Sequence, residues 1–311
     1  KLNYKLGVSY FNDFLNAYKS QNRDVKEQIL NLNINEKRRL FDFLSQNYKP
    51  ENRYYLYDFF YDNCATKPRD VFQQILGSNL TYSPDALNWK TSFRTLIQQQ
   101  LHWNTWGSLG INIALGAVVD KMATPYEHQF LPEYVFMALQ HAQIQEGANA
   151  RKLVLQTKTL NKATRTWQSN PSILWAPLSL FSVISLLIIG ITIRDFKRHK
   201  RNRHVDGVIG IITGCIGCLL LFLWWGTNHT ATAQNYNLLW AFPLNIWTGI
   251  LLWKKTPPKW VKRYLFFLIL ALILLFLHWI TGVQRFAYSL FPLFLALLIR
   301  YIFVWKKGFL K

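Results

Sequence analysis

The sequence predicts an α+β domain outside the cytoplasm followed by a five-helix transmembrane domain, and three observations carry that prediction. Composition breaks near residue 170: residues 1–170 hold 20 Lys+Arg against 14 Asp+Glu, whereas residues 171–311 hold 16 against 2 on a far more apolar chain. The second part reads as apolar runs close to the ~20 residues that cross a hydrocarbon core, separated by short basic clusters. The first part mixes β-like and amphipathic helical runs around one cysteine, Cys64. Domains are therefore expected at 1–170 and 171–311.

Residues 2–8 alternate loosely, as a strand does, and Ser9 is placed to cap a helix with Phe11, Phe14, Leu15 and Tyr18 on one face. Val25, Ile29, Leu30 and Leu32 follow, then a helix over 35–47 that Pro50 ends. Residues 54–61 have the aromatic enrichment of a buried strand. Beyond Cys64, Val71, Phe72, Ile75 and Leu76 recur at helical spacing, with Pro68 in a first turn. A turn-rich connection over 77–84 leads to the stretch 92–112, where Phe93, Leu96, Ile97 and Leu101 fit one helix face and Arg94 lies off it. Glycines at 107, 110 and 116, with Trp103 and Trp106, imply close packing or a groove wall around 111–119. Thr124-Pro125 opens one helix and residues 133–148 form another; residues 149–170 read as a polar, basic segment approaching the bilayer.

Five spans are expected, at 172–193, 207–226, 237–253, 264–281 and 286–304, the third broken by Pro243. Basic clusters follow the first span (Arg194, Lys197, Arg198, Lys200, Arg201, Arg203), the third (Lys254, Lys255, Lys259, Lys262, Arg263) and the fifth (Lys306, Lys307, Lys311). The positive-inside rule puts these in the cytoplasm with the C-terminus, and residues 1–170 outside. Tryptophans 224, 225, 240, 247, 253, 260 and 305 suit interfacial anchors.

The net charge of +20 on 311 residues thus reflects membrane topology, and nucleic acid is a poor explanation for it. Three cysteines make no disulfide framework; Cys215 and Cys218, one turn apart in an expected span, read as small packing residues, and no further ligands suggest a metal. The chain starts at Lys1 with neither an initiator methionine nor a signal-peptide pattern, which reads as a processed or partial product.

Cys64 sits where a thiolate gains from the amides of a helix start. A buried structural cysteine is the competing reading, and the polar company of Asp62, Asn63, Thr66 and Lys67 favours the nucleophile. A nucleophile needs a base, normally histidine. His102, His128 and His141 sit in helical or buried-looking contexts, and His229 alone lies in a loop, 225–237, on the same side of the membrane as Cys64. That loop is polar and uncharged, with His229, Asn235 and Asn237 as candidate substrate contacts; an ordinary connecting loop is the competing reading. None of the four histidines stands in a local pattern with Cys64.

Tyr61-Asp62-Asn63-Cys64-Ala65-Thr66-Lys67-Pro68, Leu115-Gly116-Ala117-Val118-Val119-Asp120, Phe130-Leu131-Pro132-Glu133 and Asn235-Tyr236-Asn237-Leu238-Leu239-Trp240-Ala241-Phe242-Pro243-Leu244 together resemble the Lnb family of Bacteroidota, lipoprotein N-acyltransferases of the inner membrane. The resemblance implies that Cys64 is the catalytic cysteine and that its base is a histidine in a Gly-His segment before it, which here means upstream of Lys1. The order also resembles permuted papain-like, NlpC/P60 and lecithin:retinol acyltransferase-like enzymes, which implies that type of fold for the periplasmic α+β domain. The implied reaction takes an acyl chain from a membrane phospholipid onto Cys64 as a thioester, then onto the α-amine of a diacylglyceryl-cysteine lipoprotein, without ATP, metal or other cofactor. Asn63 is a supporting residue in this reading, helix-start amides would hold the oxyanion, and Lys67, Arg69 and Arg94 are candidate phosphate contacts. The alternatives are a membrane-bound cysteine peptidase or amidase, and a non-enzymatic scaffold or sensor.

Overall fold

The computed structural model describes residues 2–83, 90–164 and 173–308. Pro84, Lys311, the expected domain boundary at 170 and the first residue of the 172–193 span lie outside the described residues. Contacts divide the chain into two compact units: Lys1–Thr91 with Met122–Ser169, and Ser92–Lys121 with Asn170–Lys311. Residues 92–121 therefore group with the membrane helices.

The first unit is α+β. Strands β1 (Asn3–Lys5) and β3 (Tyr54–Leu56) pair antiparallel, as do β2 (Val25–Leu30) and β7 (Val154–Asn161); β4 (Leu80–Thr81), β5 (Gln143–Glu146) and β6 (Asn149–Lys152) form a three-stranded sheet in the order β4-β5-β6. Helix α1 (Phe11–Ser20) starts after Tyr10 without a side-chain cap, so Ser9 does not have the expected role. Helix α2 (Ile34–Tyr48) begins in a capping box in which Asn33 and Glu36 satisfy each other's amides. Arg151 of β6 bonds the same Glu36 at 2.6 Å and Glu146 at 2.8 Å, tying the helix start to the β5-β6 hairpin. Helix α3 (Thr66–Leu76) packs with α7 (Pro132–His141) around Ala65, Ile75, Leu76, Leu139, Ile144 and Leu153. The expected Thr124-Pro125 start is present as a second capping box, Thr124 with Glu127, on the four-residue α6 (Pro125–His128).

The segment expected to approach the bilayer as a polar stretch is instead, over its described residues, β6 and β7. Its residues are mostly exposed, which removes the apolar alternation that marks a half-buried strand.

In the second unit, α4 (Phe93–Gln99) and α5 (Trp106–Ala114) are separate helices capped by Ser92 and Thr105. The five-helix expectation is corrected to four. Among the described residues, four helices are long and apolar enough to cross a membrane: α8 (Pro177–Arg198), α9 (Arg203–Trp225), α11 (Lys259–Thr281), and α12 (Phe291–Lys307) extended by a 3-10 turn to Tyr288–Lys307. The segment expected as the third span is a 3-10 turn, Tyr236–Leu239, followed by the nine-residue α10 (Asn245–Trp253). Pro243 offers no amide hydrogen and obstructs the preceding turn, so a continuous helix is broken there.

Helix α10 lies along α9 on glycines 207, 210, 214 and 217. A Cβ at Gly210 would come within 2.6 Å of Gly249 Cα, and one at Gly217 within 2.1 Å of Ala241 O. Without a hydrophobic driving force inside a bilayer, such backbone approach is what joins helices. Cys215 and Cys218 are exposed, so the glycines provide the small-residue packing expected of the cysteines.

Candidate active site

The aromatic run forms a ladder only as far as Leu56, because Asp58 then takes over its amides. Asp58 Oδ1 accepts from Phe60 N and Tyr61 N, both at 3.1 Å, and Asp58 and Asp62 bridge through their backbones. The chain turns back and delivers Asn63, which is 4% exposed. Asn63 Nδ2 donates to Phe59 O at 2.7 Å and Phe130 O at 2.9 Å, and its Oδ1 accepts from Ala65 N at 2.7 Å and Thr66 N at 2.9 Å. Both amide hydrogens and both lone pairs of that side chain are used. Asn63 therefore builds the turn, and Cys64, next in sequence, is left exposed with its thiol free.

The helix-start amides expected to hold an oxyanion are largely committed: Ala65 N and Thr66 N to Asn63 Oδ1, and Lys67 N to Asn63 O. Among the described residues the Cys64 amide has no acceptor, which makes it the donor of this turn that remains available to a substrate oxygen.

Cys64 lines a cavity of about 660 Å3 in the first unit. Its apolar wall includes Leu40, Phe43, Val71 and Phe72; Lys67, Asp70 and Arg53 contribute polar groups. Lys67 Nζ bonds Asp62 at 2.6 Å and sits 4.4 Å from the Tyr55 ring centroid. Burial first, and then the neighbouring Cys64, push the Tyr55 and Tyr57 phenols above their ordinary range.

Arg69 is 4% exposed and internally engaged. Its Nε and Nη2 meet Asp70 Oδ1 at 2.7 Å, its Nη1 donates to Tyr126 O, and its guanidinium lies 3.6 Å from the Tyr126 ring centroid. Tyr126 donates to the same Asp70 oxygen at 2.6 Å, and its pKa is raised by burial and then by this bond. Sequence reasoning missed this Asp70–Tyr126 clasp; the adjacent Arg69-Asp70 pair was its only local signal. Buried His128 bonds Thr124 O through Nδ1, and no histidine among the described residues hydrogen-bonds Cys64.

The remaining candidates belong to the second unit. Arg94 is fully buried: Nε binds both oxygens of Asp120 at 2.9 and 3.0 Å, Nη1 binds Asn112 Oδ1, and Nη2 binds Leu115 O and Gly116 O. All three nitrogens serve the fold. Asn235 and Asn237, each 1% exposed, continue this network by donating to Ile113 O, Ala114 O and Asn112 O, with Gln284 adding a bond to Tyr236 N. A Cβ at Gly116 would fall 1.8 Å from Ala233 O, so the two segments touch backbone to backbone there. His229 is exposed, with Nδ1 on Thr227 Oγ1 at 2.9 Å.

Comparison with family models adds two matches: residues 1–99 match the Lnb N-terminal periplasmic domain and residues 168–307 match the Lnb transmembrane domain. The chain belongs to the Lnb family of lipoprotein N-acyltransferases. No curated protein and no solved structure matches it. The Lnb N-terminal match contains Cys64 with the Asn63 turn, and the Lnb transmembrane match contains the Asn235–Asn237 segment. The chain is accordingly a membrane protein of lipoprotein maturation with a periplasmic N-terminal domain.

Proposed function

We propose that Cys64 is the acyl carrier of this N-acyltransferase. The observation that carries the reading is the exposed Cys64 thiol, held on a fully bonded turn and opening onto a cavity of about 660 Å3 with an apolar wall. A cavity of that size lies in the range that takes small ligands, ~300–1,000 Å3, and its wall suits a hydrocarbon chain. The thiolate attacks an ester carbonyl of a membrane phospholipid; the C–S bond forms, the C–O bond breaks, and the lysophospholipid oxygen leaves with a proton. The α-amine of a diacylated lipoprotein then attacks the thioester; the C–N bond forms, the C–S bond breaks, the amine gives up a proton and the thiolate returns. The Cys64 amide donates to the oxyanion of both tetrahedral intermediates. The base is the histidine that the family resemblance puts before the cysteine. Lys67 lines the cavity with its side chain 40% exposed, paired with the part-exposed Asp62, and is the phosphate contact of this reading, whereas Arg69 and Arg94 are spent on buried internal partners.

The C-terminus is cytoplasmic in this reading: between the four long helices the segment from Tyr236 through α10 runs back along α9, Gly217 against Ala241 and Gly207 against Trp253, and so returns the chain to the basic end. Arg201, from the cluster after α8, bonds Leu252 O and Lys254 O at the end of α10, and Lys262 of α11 lies over Trp305 of α12, so the three basic clusters gather at one end of the membrane unit. The test is conversion of diacylated to triacylated lipoprotein in cells carrying the full-length protein. Cys64→Ala should abolish conversion while the protein still accumulates in the membrane; conversion at the wild-type rate would refute the reading.

A further inference from the structure

Helices α8 and α9 run antiparallel and are joined by only four residues, 199–202, yet they diverge: α8 packs on α12 and α9 on α10. Between them lies a groove of about 430 Å3 with no polar surface, lined by Phe181 and Ile188 of α8, Val208 and Ile212 of α9 and Leu293 of α12. On α9 the lining runs from His204 to Ile216, ~18 Å of helix at 1.5 Å per residue, against ~15 Å for one leaflet of a hydrocarbon core.

His204 also lines a second cavity, of about 340 Å3, formed by the connection itself with Arg194, Arg198, Lys200, Arg201 and Arg203. The connection is rigidly made. Asp195 Oδ2 accepts from Asn202 N at 2.6 Å, and buried Arg300 joins Asp195 at 2.9 Å to Asp206 at 2.7 Å and donates to Asn202 O. Arg201 is held by Asp206 Oδ2, Leu252 O and Lys254 O. Both carboxylates are thus consumed, Asp195 by Arg300 and Arg194 and Asp206 by Arg300 and Arg201. Among the described residues, Arg198, Lys200 and Arg203 have no anionic partner, and they surround the start of α9, whose dipole adds positive potential.

We infer that this groove and its basic cup hold one anionic glycerophospholipid, with its phosphate among Arg198, Lys200 and Arg203 and an acyl chain between α8 and α9. The cup supplies charge for a headgroup, the groove supplies one leaflet's depth of apolar wall, and His204 belongs to both. A dry apolar cleft open to a bilayer fills with hydrocarbon, and a cup of unpaired cations at its end selects which lipid supplies it. The occupant is a resident of the leaflet at the basic end, distinct from the acyl donor, and the inference stands whether or not Cys64 is the nucleophile.

The test is native mass spectrometry of the full chain purified in detergent and offered phosphatidylglycerol or phosphatidylethanolamine of identical chains. Wild type should retain phosphatidylglycerol preferentially. The triple variant Arg198→Gln, Lys200→Gln, Arg203→Gln should lose that preference by about tenfold or more, and Val208→Phe with Ile212→Phe should lower retention of both lipids. Neutralising three cations of the same end outside the cup, Lys254→Gln, Lys255→Gln and Lys306→Gln, should leave the preference intact. Equal loss in that control, unchanged preference in the cup variant, or displacement of the lipid by inorganic phosphate alone would each overturn the assignment.

Discussion

Asn63 and Thr66 bond each other three times across Cys64: Thr66 N donates to Asn63 Oδ1 at 2.9 Å, Asn63 N donates to Thr66 Oγ1 at 2.8 Å, and Thr66 Oγ1 donates to Asn63 O at 3.1 Å. The reciprocal pair fixes the backbone on both sides of the thiol while leaving Cys64 unused by the fold. Replacing Asn63 with Ala strands Phe59 O and Phe130 O as well as the two amides, at a cost of ~1–3 kcal/mol for each buried group left unsatisfied. Thermal unfolding of the solubilised full chain should show a clear loss of stability for Asn63→Ala and a smaller one for Thr66→Val. A wild-type melting profile for Asn63→Ala would contradict this role.

Arg94→Ala separates a fold role from phosphate binding. Removing one partner of a buried, hydrogen-bonded pair costs ~3–5 kcal/mol, so Arg94→Ala and Asp120→Ala should each reduce the amount of folded protein in the membrane. A variant that accumulates normally and only raises the KM for phospholipid would make Arg94 a substrate contact instead.

Gly116 and Gly217 are steric tests of two close approaches. Alanine at Gly116 puts its Cβ 1.8 Å from Ala233 O, and at Gly217 2.1 Å from Ala241 O; both meet backbone, which cannot swing away as a side chain does. Each substitution should cost at least ~1–3 kcal/mol, whereas Gly107→Ala and Gly110→Ala, with nothing within 4 Å, should be neutral or mildly favourable to their helix. Comparing the four by thermal stability checks the packing of α5 and α9 directly.

Tyr82 gives the first unit an alkaline limit. Burial pushes its phenol up to about 12, from 10.0, and its hydroxyl has no hydrogen-bond partner among the described residues. The unfolded chain loses this proton near pH ~10 while the folded chain keeps it, so stability present below pH ~10 falls as pH rises toward 12, by roughly 2 kcal/mol. Tyr82→Phe should leave stability at neutral pH no lower, and higher by the cost of the unsatisfied hydroxyl it removes, and flatten that alkaline decline; an identical alkaline decline in the variant would refute the assignment.

Features with a local chemical signature were legible in the sequence. Thr124-Pro125 announces its capping box, and long apolar runs announce α8, α9, α11 and α12. Features decided by tertiary partners were not. Strands β6 and β7 lack alternation because most of their residues face solvent. The 237–253 run has the composition of a span, but Pro243 and the glycine face of α9 make it a turn and a short helix. Arg94 looked like a free cation because its partners, Asp120, Asn112 and the carbonyls at 115 and 116, come from 18 to 26 residues away.

The central claim is that Cys64 carries the acyl chain. The most direct measurement is mass spectrometry of peptides from full-length, active protein trapped with phospholipid in the absence of lipoprotein acceptor. The account predicts an acyl mass on the peptide containing Cys64, sensitive to hydroxylamine and discharged when a diacylated lipoprotein is added. An active preparation with no adduct on Cys64, or an adduct that acceptor does not discharge, would contradict it.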